Sequence, residues 1–415
     1  MTWVAPTVLG PLHSDVVVPG SKSATARSLV LAALSDTPSV IRRGLRARDT
    51  SLMIQGLRSL GALIDDHRED YWEVTPITHD RGDVAIDCGL AGTVMRFLPP
   101  LAVISGQKVS FFGDDASTAR PISPLLTALQ GLGAITEGSS LPFSVQGPIT
   151  GRAVTLDSSA SSQFISGLLL SAPRFPSGIA IHHHGGPLPS QPHIDMTIHA
   201  LSARGASLTY GDNWWVVAPT PLQGITEVIE PDLTTAAVFL AAAVVCGGSV
   251  TIKDWPTSSI QPGIRVLDIF EQLGASVTRA ETHVSVTGTG TVSGIDIDLS
   301  ATSELTPLLV GLALFAEGDT RIRGVGHIRG HETNRLSAIA TEITALGGYC
   351  TETSDGLIIR PAPLGSGIFH SYGDHRMAHL GALIGARIPG ITIDDIECTT
   401  KTMPGFAHTW QEMFP

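Results

Sequence analysis

Charge is scarce in this chain, and lysine is the scarcest charge of all. Only 15% of the 415 residues are Asp, Glu, Lys or Arg, and lysine occurs only as Lys22, Lys108, Lys253 and Lys401. So little charge requires most of the chain to be buried, which excludes an extended disordered polymer. The net charge of −12 argues against a nucleic-acid-binding role. A small anionic ligand must therefore be met by local cations, against the field of the whole molecule. Cysteines are few and scattered (Cys88, Cys246, Cys350, Cys398), with no CxxC pair. Neither a zinc site nor a disulfide framework is expected, and a reducing compartment fits. The longest apolar run, Ala236–Cys246, has 11 residues, where a membrane span needs about 20. The first residues show no basic stretch followed by an apolar one, so no signal peptide is expected, and a cytoplasmic location is expected with it. A Gly-x-Ser-x-Gly elbow and a dinucleotide-binding Gly-x-Gly-x-x-Gly are both missing.

What the chain does have is repetition. A helix end of the Leu-Gly-Ala kind places Gly at 61, 133, 205, 274 and 347. A second marker, Gly before a β-branched run, recurs at Gly106, Gly178, Gly248, Gly318 and Gly390. Both markers share a period of about 70 residues, longer than solenoid repeats, so closed domains are expected rather than an open stack. Each unit reads as helix, strand, second helix ending at Gly, then one or two strands. Six units fill the chain, but the last is cut short. Two β-like N-terminal pieces, Trp3–Val4 with Thr7–Leu9 and Asp15–Val18, are expected to complete it. The expected domains are residues 19–229, and residues 1–18 with 230–415, with three units each and a hinge near 18–20 and 228–232.

The first helix of each unit opens on residues suited to anions. These are Lys22, Ser23 and Arg27; Gly92, Thr93 and Arg96; Ser161, Ser162 and Gln163; Asp232, Thr234 and Thr235; Ser303, Glu304 and Thr306; and Asp374, His375 and Arg376. Helix capping explains Ser, Thr and Asp there. It does not explain Lys or Arg in first turns, where the helix dipole is already positive. Pseudo-symmetry would point all six starts to one side, and two such lids would close over one cleft lined by N–H groups. Further cations stand in loops: Arg120, Arg329, Arg335 and Lys401. Glu304 and Glu332 are the carboxylates suited to acid–base work. Lys22 lacks the preceding Gly of a P-loop, and His331–Glu332 lacks the second His of a zinc protease. His182–His184 would alternate across a strand, so the three cannot share one metal ion. No metal is expected.

Several stretches together resemble the EPSP synthase (3-phosphoshikimate 1-carboxyvinyltransferase) family, nearly end to end. They are Pro19–Ser23 (Pro-Gly-Ser-Lys-Ser), Ala91–Arg96 (Ala-Gly-Thr-Val-Met-Arg), Arg120–Ile122, Ser161–Phe164, His331–Leu336, Asp374–Met377 and Thr400–Thr402. The resemblance implies a two-domain inside-out α/β barrel, each domain built from three βαβαββ-type repeats with buried helices. It implies a monomeric enzyme of the shikimate pathway that joins shikimate 3-phosphate and phosphoenolpyruvate, without cofactor, metal, nucleic acid or membrane. Lys22, Ser23, Arg27, Ser161, Ser162, Gln163, Ser190, Glu304 and His331 would hold shikimate 3-phosphate. Lys22, Gly92, Arg120, Gln163, Arg335, Arg376 and Lys401 would hold phosphoenolpyruvate. Glu304, Glu332 and Lys22 would be catalytic.

The sequence departs from the family pattern at Leu90 (Asn in many relatives), Glu304 (Asp), His331 (Lys), His193 (Tyr) and Phe97 (Pro in some). Histidine at 331 would make one substrate contact depend on pH near neutrality. Three alternatives share the architecture. A UDP-N-acetylglucosamine enolpyruvyl transferase would carry a reactive Cys near Asp114–Arg120, and none is there. An RNA 3′-phosphate cyclase fits poorly with the −12 charge. A non-catalytic anion-binding member would have lost Lys22, Glu304 or Glu332, and all three are present.

Overall fold

A computed structural model describes residues 2–8, 10–78 and 82–414. The chain divides into two compact units, residues 20–229 and residues 1–19 with 230–415. Each unit has its own hydrophobic core and three small sheets.

The cores are built around six inner helices. In the 20–229 unit these are α1 (Lys22–Leu34), α2 (Gly92–Ala102) and α3 (Gln163–Ser171). In the other unit they are α4 (Leu233–Cys246), α5 (Thr306–Ala313) and α6 (His375–Gly385). Their sequences explain the placement. Every residue of α2 and α5 is buried, as is α4 apart from Thr234 and Cys246. A helix that is apolar on all sides has to be enclosed.

Four of the inner helices each link two parallel strands of one sheet. Val84–Asp87 leads through α2 to Lys108–Phe112, Ala153–Asp157 through α3 to Ile179–His184, Asp296–Asp298 through α5 to Thr320–Arg323, and Gly367–Phe369 through α6 to Ile391–Ile393. These four helices therefore begin at the C-terminal ends of their leading strands.

The strand directly before α1 and the strand directly before α4 each belong to a sheet of the other unit, because the chain enters each unit just there. The strand comes from elsewhere. Thr226–Val228, the last strand of the 20–229 unit, pairs in parallel with Ser39–Arg42 after α1. Leu12–Val16 pairs in parallel with Gly248–Lys253 after α4. Glu227 fastens the first of these, accepting hydrogen bonds from Ser28 and from the buried Arg204. Arg204 also donates to Ser39 at 3.0 Å.

This pairing corrects the expectation that both N-terminal pieces complete the last repeat. Trp3–Val4 does lie antiparallel to Ile391–Ile393, but the second piece spans Leu12–Val16 and belongs to the fourth repeat. Thr7 and Val8 form no strand. They are tied instead to the end of α6, through Thr7 Oγ1 to the Gly385 carbonyl at 2.8 Å and Val8 N–H to the Ala386 carbonyl at 3.1 Å. Leu9 lies outside the described residues. Among the described residues no helix is long and apolar enough to cross a membrane.

Packing is tightest between α2 and α3. A Cβ at Gly167 would lie 2.2 Å from the Arg96 carbonyl oxygen, so only glycine allows the two backbones to meet there. Gly167→Ala is expected to lower unfolding stability by about 1–3 kcal/mol, as overpacking does, read as a lower urea midpoint.

Candidate active site

In the 20–229 unit the polar residues gather at the starts of α1, α2 and α3. Ser21 caps α1, accepting from the Ala24 N–H at 3.4 Å. Lys22 follows in the first turn, its Nζ 3.6 Å from Asp49. Arg27 is buried: Nε donates to Thr197 at 2.8 Å, and its terminal nitrogens donate to the Ser23 and His193 carbonyls at 2.8 and 2.7 Å. Burial pushes its guanidinium down to about 9, so it remains a cation at neutral pH.

At α2 the backbone itself makes room for a cation. A Cβ at Gly92 would come within 2.6 Å of the Arg120 guanidinium and 3.0 Å of the Arg96 guanidinium. Arg120 is anchored by a 2.7 Å hydrogen bond to the Leu90 carbonyl. That contact is to the backbone, so it does not depend on the side chain at 90. Arg96 donates to the Pro121 carbonyl at 2.9 Å and to Gln163 Oε1 at 2.8 Å, fixing the first residue of α3. Burial, with Arg120 beside it, pushes Arg96 well below the ordinary guanidinium value. Arg27, Arg96 and Arg120 have no carboxylate partner among the described residues. Ser161 and Ser162 precede α3, and Ser161 Oγ accepts from the Gln163 N–H at 3.3 Å. Ser190 opens the helix Gln191–Ala203 with φ +51, a left-handed backbone unusual for a residue with a Cβ.

In the other unit the site residues converge on Arg335, which is 1% exposed. Its Nε meets Asp374 at 2.6 Å, one terminal nitrogen meets Glu332 at 2.7 Å, and the other meets Glu304 and His331, both at 3.0 Å. Arg376 pairs with Glu304 at 2.6 Å and Lys401 with Glu332 at 2.5 Å. Asp374 also caps α6, accepting from the Arg376 N–H at 2.9 Å. Three carboxylates thus face three cations, and the cluster is close to neutral.

The electrostatics follow from this crowding. Burial alone would raise Glu304, but Arg376, Arg335 and His331 outweigh it and hold the carboxyl well below the usual range. Burial would lower Arg335, yet Asp374, Glu304 and Glu332 raise it well above the ordinary value. Asp374 is pushed up, because burial and Glu332 outweigh the help from Arg335. His331 is driven down to about 3, chiefly by burial, so it stays neutral at neutral pH. The expected titration of His331 near neutrality is corrected accordingly. Arg335 can only donate, so His331 Nδ1 accepts and its proton sits on Nε2. Ligand atoms of Glu332, Asp374 and His375 lie within 4.8 Å of one another. Arg335 and Lys401 already neutralise the two carboxylates, which makes this an ion-pair network.

The structure brings Lys22, Ser23 and Arg27, then Gly92 and Arg120, then Ser161, Ser162 and Gln163 to inner-helix starts, and Ser190 to the start of an outer helix. It brings Glu304, His331, Glu332, Arg335, Arg376 and Lys401 into one cluster. Sequence reasoning missed two supports: Asp374 as the buried partner of Arg335, and Arg96 as the group that orients Gln163. Their signal was position alone, since both stand in first turns of inner helices.

A profile of the family "EPSP synthase (3-phosphoshikimate 1-carboxyvinyltransferase)" matches residues 7–410. A curated 3-phosphoshikimate 1-carboxyvinyltransferase of Mycobacterium ulcerans (strain Agy99) is 47% identical over 420 aligned residues, covering 99% of this chain and 97% of the relative. Two solved structures share the fold. An EPSP synthase from Acinetobacter baumannii has a TM-score of 0.81 at 23% identity, covering 100% of this chain and 98% of its own. The enolpyruvyl transferase NikO from Streptomyces tendae has a TM-score of 0.78 at 18% identity, covering 98% of this chain and 96% of its own.

Two outcomes follow from the Arg335 cluster and its neighbours. Arg335→Met strands three carboxylates and is expected to cost about 3–5 kcal/mol of stability; adding Asp374→Asn should recover part of it in urea unfolding. His379, 3% exposed on α6, is held near 3 by burial with Arg376 and Arg335 close by. Below about pH 6.5 the unfolded chain protonates this histidine and the folded chain does not. Stability is therefore lost as pH falls from about 6.5 towards 3. His379→Phe should flatten that loss by about 2 kcal/mol at pH 5, seen in urea midpoints at pH 7 and pH 5.

Proposed function

The chain belongs to the EPSP synthase family, and from that premise we propose which residues carry each part of its reaction. The enzyme transfers the carboxyvinyl group of phosphoenolpyruvate to the 5-hydroxyl of shikimate 3-phosphate and releases phosphate, a step of aromatic amino acid biosynthesis. In the addition, C3 of the enolpyruvyl group gains a proton while the 5-oxygen bonds to C2 and gives up its own. In the elimination, C3 loses a proton and the C2–O bond to phosphate breaks. Acids, bases and fixed charge suffice for both steps.

We assign shikimate 3-phosphate to Lys22, Ser23, Arg27, Ser161, Ser162, Gln163 and Ser190, and to Glu304 and His331. Phosphoenolpyruvate is assigned to Lys22, Gly92, Arg120 and Gln163, and to Arg335, Arg376 and Lys401. Support for the second set comes from Arg120, seated against the glycine backbone at the start of α2 without a carboxylate of its own. An anion arriving there meets a guanidinium and N–H groups already in place.

Glu304 takes the proton of the 5-hydroxyl; its guanidinium neighbours keep it ionised and so able to accept. Glu332 and Lys22 move the proton at C3. His331, protonated on Nε2, donates a neutral hydrogen bond where a lysine would bring charge.

The single observation that carries these assignments is Arg335, whose guanidinium meets both proposed proton carriers, Glu304 at 3.0 Å and Glu332 at 2.7 Å. We further assign the protein to the cytoplasm as a monomer. Its four free cysteines suit a reducing compartment.

Purified protein should release phosphate only when shikimate 3-phosphate and phosphoenolpyruvate are supplied together. Release with UDP-N-acetylglucosamine in place of shikimate 3-phosphate, and not with shikimate 3-phosphate, would overturn the assignment.

A further inference from the structure

One buried histidine has no part in the chemistry above. His379 sits one helical turn beyond Arg376 on α6 and is 3% exposed. Neither of its ring nitrogens has a hydrogen-bond partner among the described residues. Its ring lies tilted on Phe406, with centroids 4.5 Å apart. Buried polar groups are rarely left unmatched, because each one costs stability.

His379 borders a small cavity of about 10 Å³, whose polar lining also includes Thr234, Glu304 and Arg376, with Val238 and Leu308 among the apolar walls. That volume matches about one water-sized sphere, and buried waters typically have two to four polar partners.

We propose that this cavity holds one structural water that bridges His379 to Glu304, making His379 a positioning residue for the proton-accepting carboxylate. The water donates one hydrogen to an imidazole nitrogen and the other to Glu304, and accepts from Arg376 or Thr234. The bridge fills a gap in how Glu304 is held. Both short cationic contacts, from Arg335 at 3.0 Å and Arg376 at 2.6 Å, fall on the same oxygen, Oε2. His331 stands 3.7 Å from Oε1. Contacts on one oxygen leave the carboxylate able to swing about it, and a bridge through the cavity removes that freedom. The charged groups facing Glu304 are Arg335, Arg376 and Glu332, with His331 beside them. Loss of a donor to the carboxylate, with these neighbours unchanged, raises its pKa.

The positioning role rests on the assignment of Glu304 as base, but the water does not. A high-resolution crystal structure of the unsubstituted protein should show density within ~3.2 Å of both a His379 nitrogen and a Glu304 oxygen. A dry cavity would overturn the proposal, whether or not the protein turns over its substrates. In kinetics, His379→Leu should lower kcat about tenfold. KM for both substrates should stay unchanged, and the acid limb of the pH profile should move to higher pH. His379→Gln, which keeps a polar atom, should retain most of kcat. A Leu variant with the parent kcat and acid limb would overturn the positioning role. If the Leu variant does not fold, the crystal density and the Gln variant decide.

Discussion

The structure depends on enclosing six helices that have no polar side to offer to water. Sheets must wrap them, and that requirement gives each unit three small sheets around a helical centre. It also decides where chemistry can occur. Along a buried helix there is no access, but the first turn emerges at the C-terminal end of a strand. There the unpaired N–H groups and the positive end of the dipole face outward. Polar residues of this otherwise apolar protein are concentrated at those turns, with a few, such as His379, buried further along.

The two units handle charge in opposite ways. In the 20–229 unit Arg27, Arg96 and Arg120 are held by carbonyls, hydroxyls and an amide, with no carboxylate among the described residues. Their positive charge is left for a ligand. In the other unit Arg335, Arg376 and Lys401 are matched by Glu304, Glu332 and Asp374, so the cluster holds itself together at little net charge. This division suits an addition–elimination. One set of cations leaves positive charge free of carboxylates, and the other holds Glu304 ionised. A cation cluster without internal carboxylates would bind its substrates but would lack a base.

Much of this was legible in the sequence, for identifiable reasons. Glycine at a helix end has a backbone cause, so its recurrence at Gly61, Gly133, Gly205, Gly274 and Gly347 reported the repeat directly. Lys22, Arg96 and Arg376 were conspicuous because cations are unfavourable in first turns. The family resemblance then supplied the reaction, which periodicity alone could not. What stayed hidden was whatever depends on distant parts of the chain meeting. Asp374 read as an ordinary cap because nothing local says that Arg335, 39 residues earlier, is buried against it. The neutrality of His331 follows from burial, which the sequence around 331 does not reveal. The destination of Leu12–Val16 was misjudged because a short strand carries no mark of which sheet it will join.

That strand has a consequence for synthesis. Leu12–Val16 leaves the ribosome more than two hundred residues ahead of its partner, Gly248–Lys253. The 20–229 unit is complete in itself, since Thr226–Val228 closes it from within its own span. It can therefore fold during translation, while Leu12–Val16 waits with unsatisfied backbone groups. Leu12–Val16 is thus obliged to settle only after the whole 20–229 unit has been made, and it is exposed to wrong pairing in the meantime.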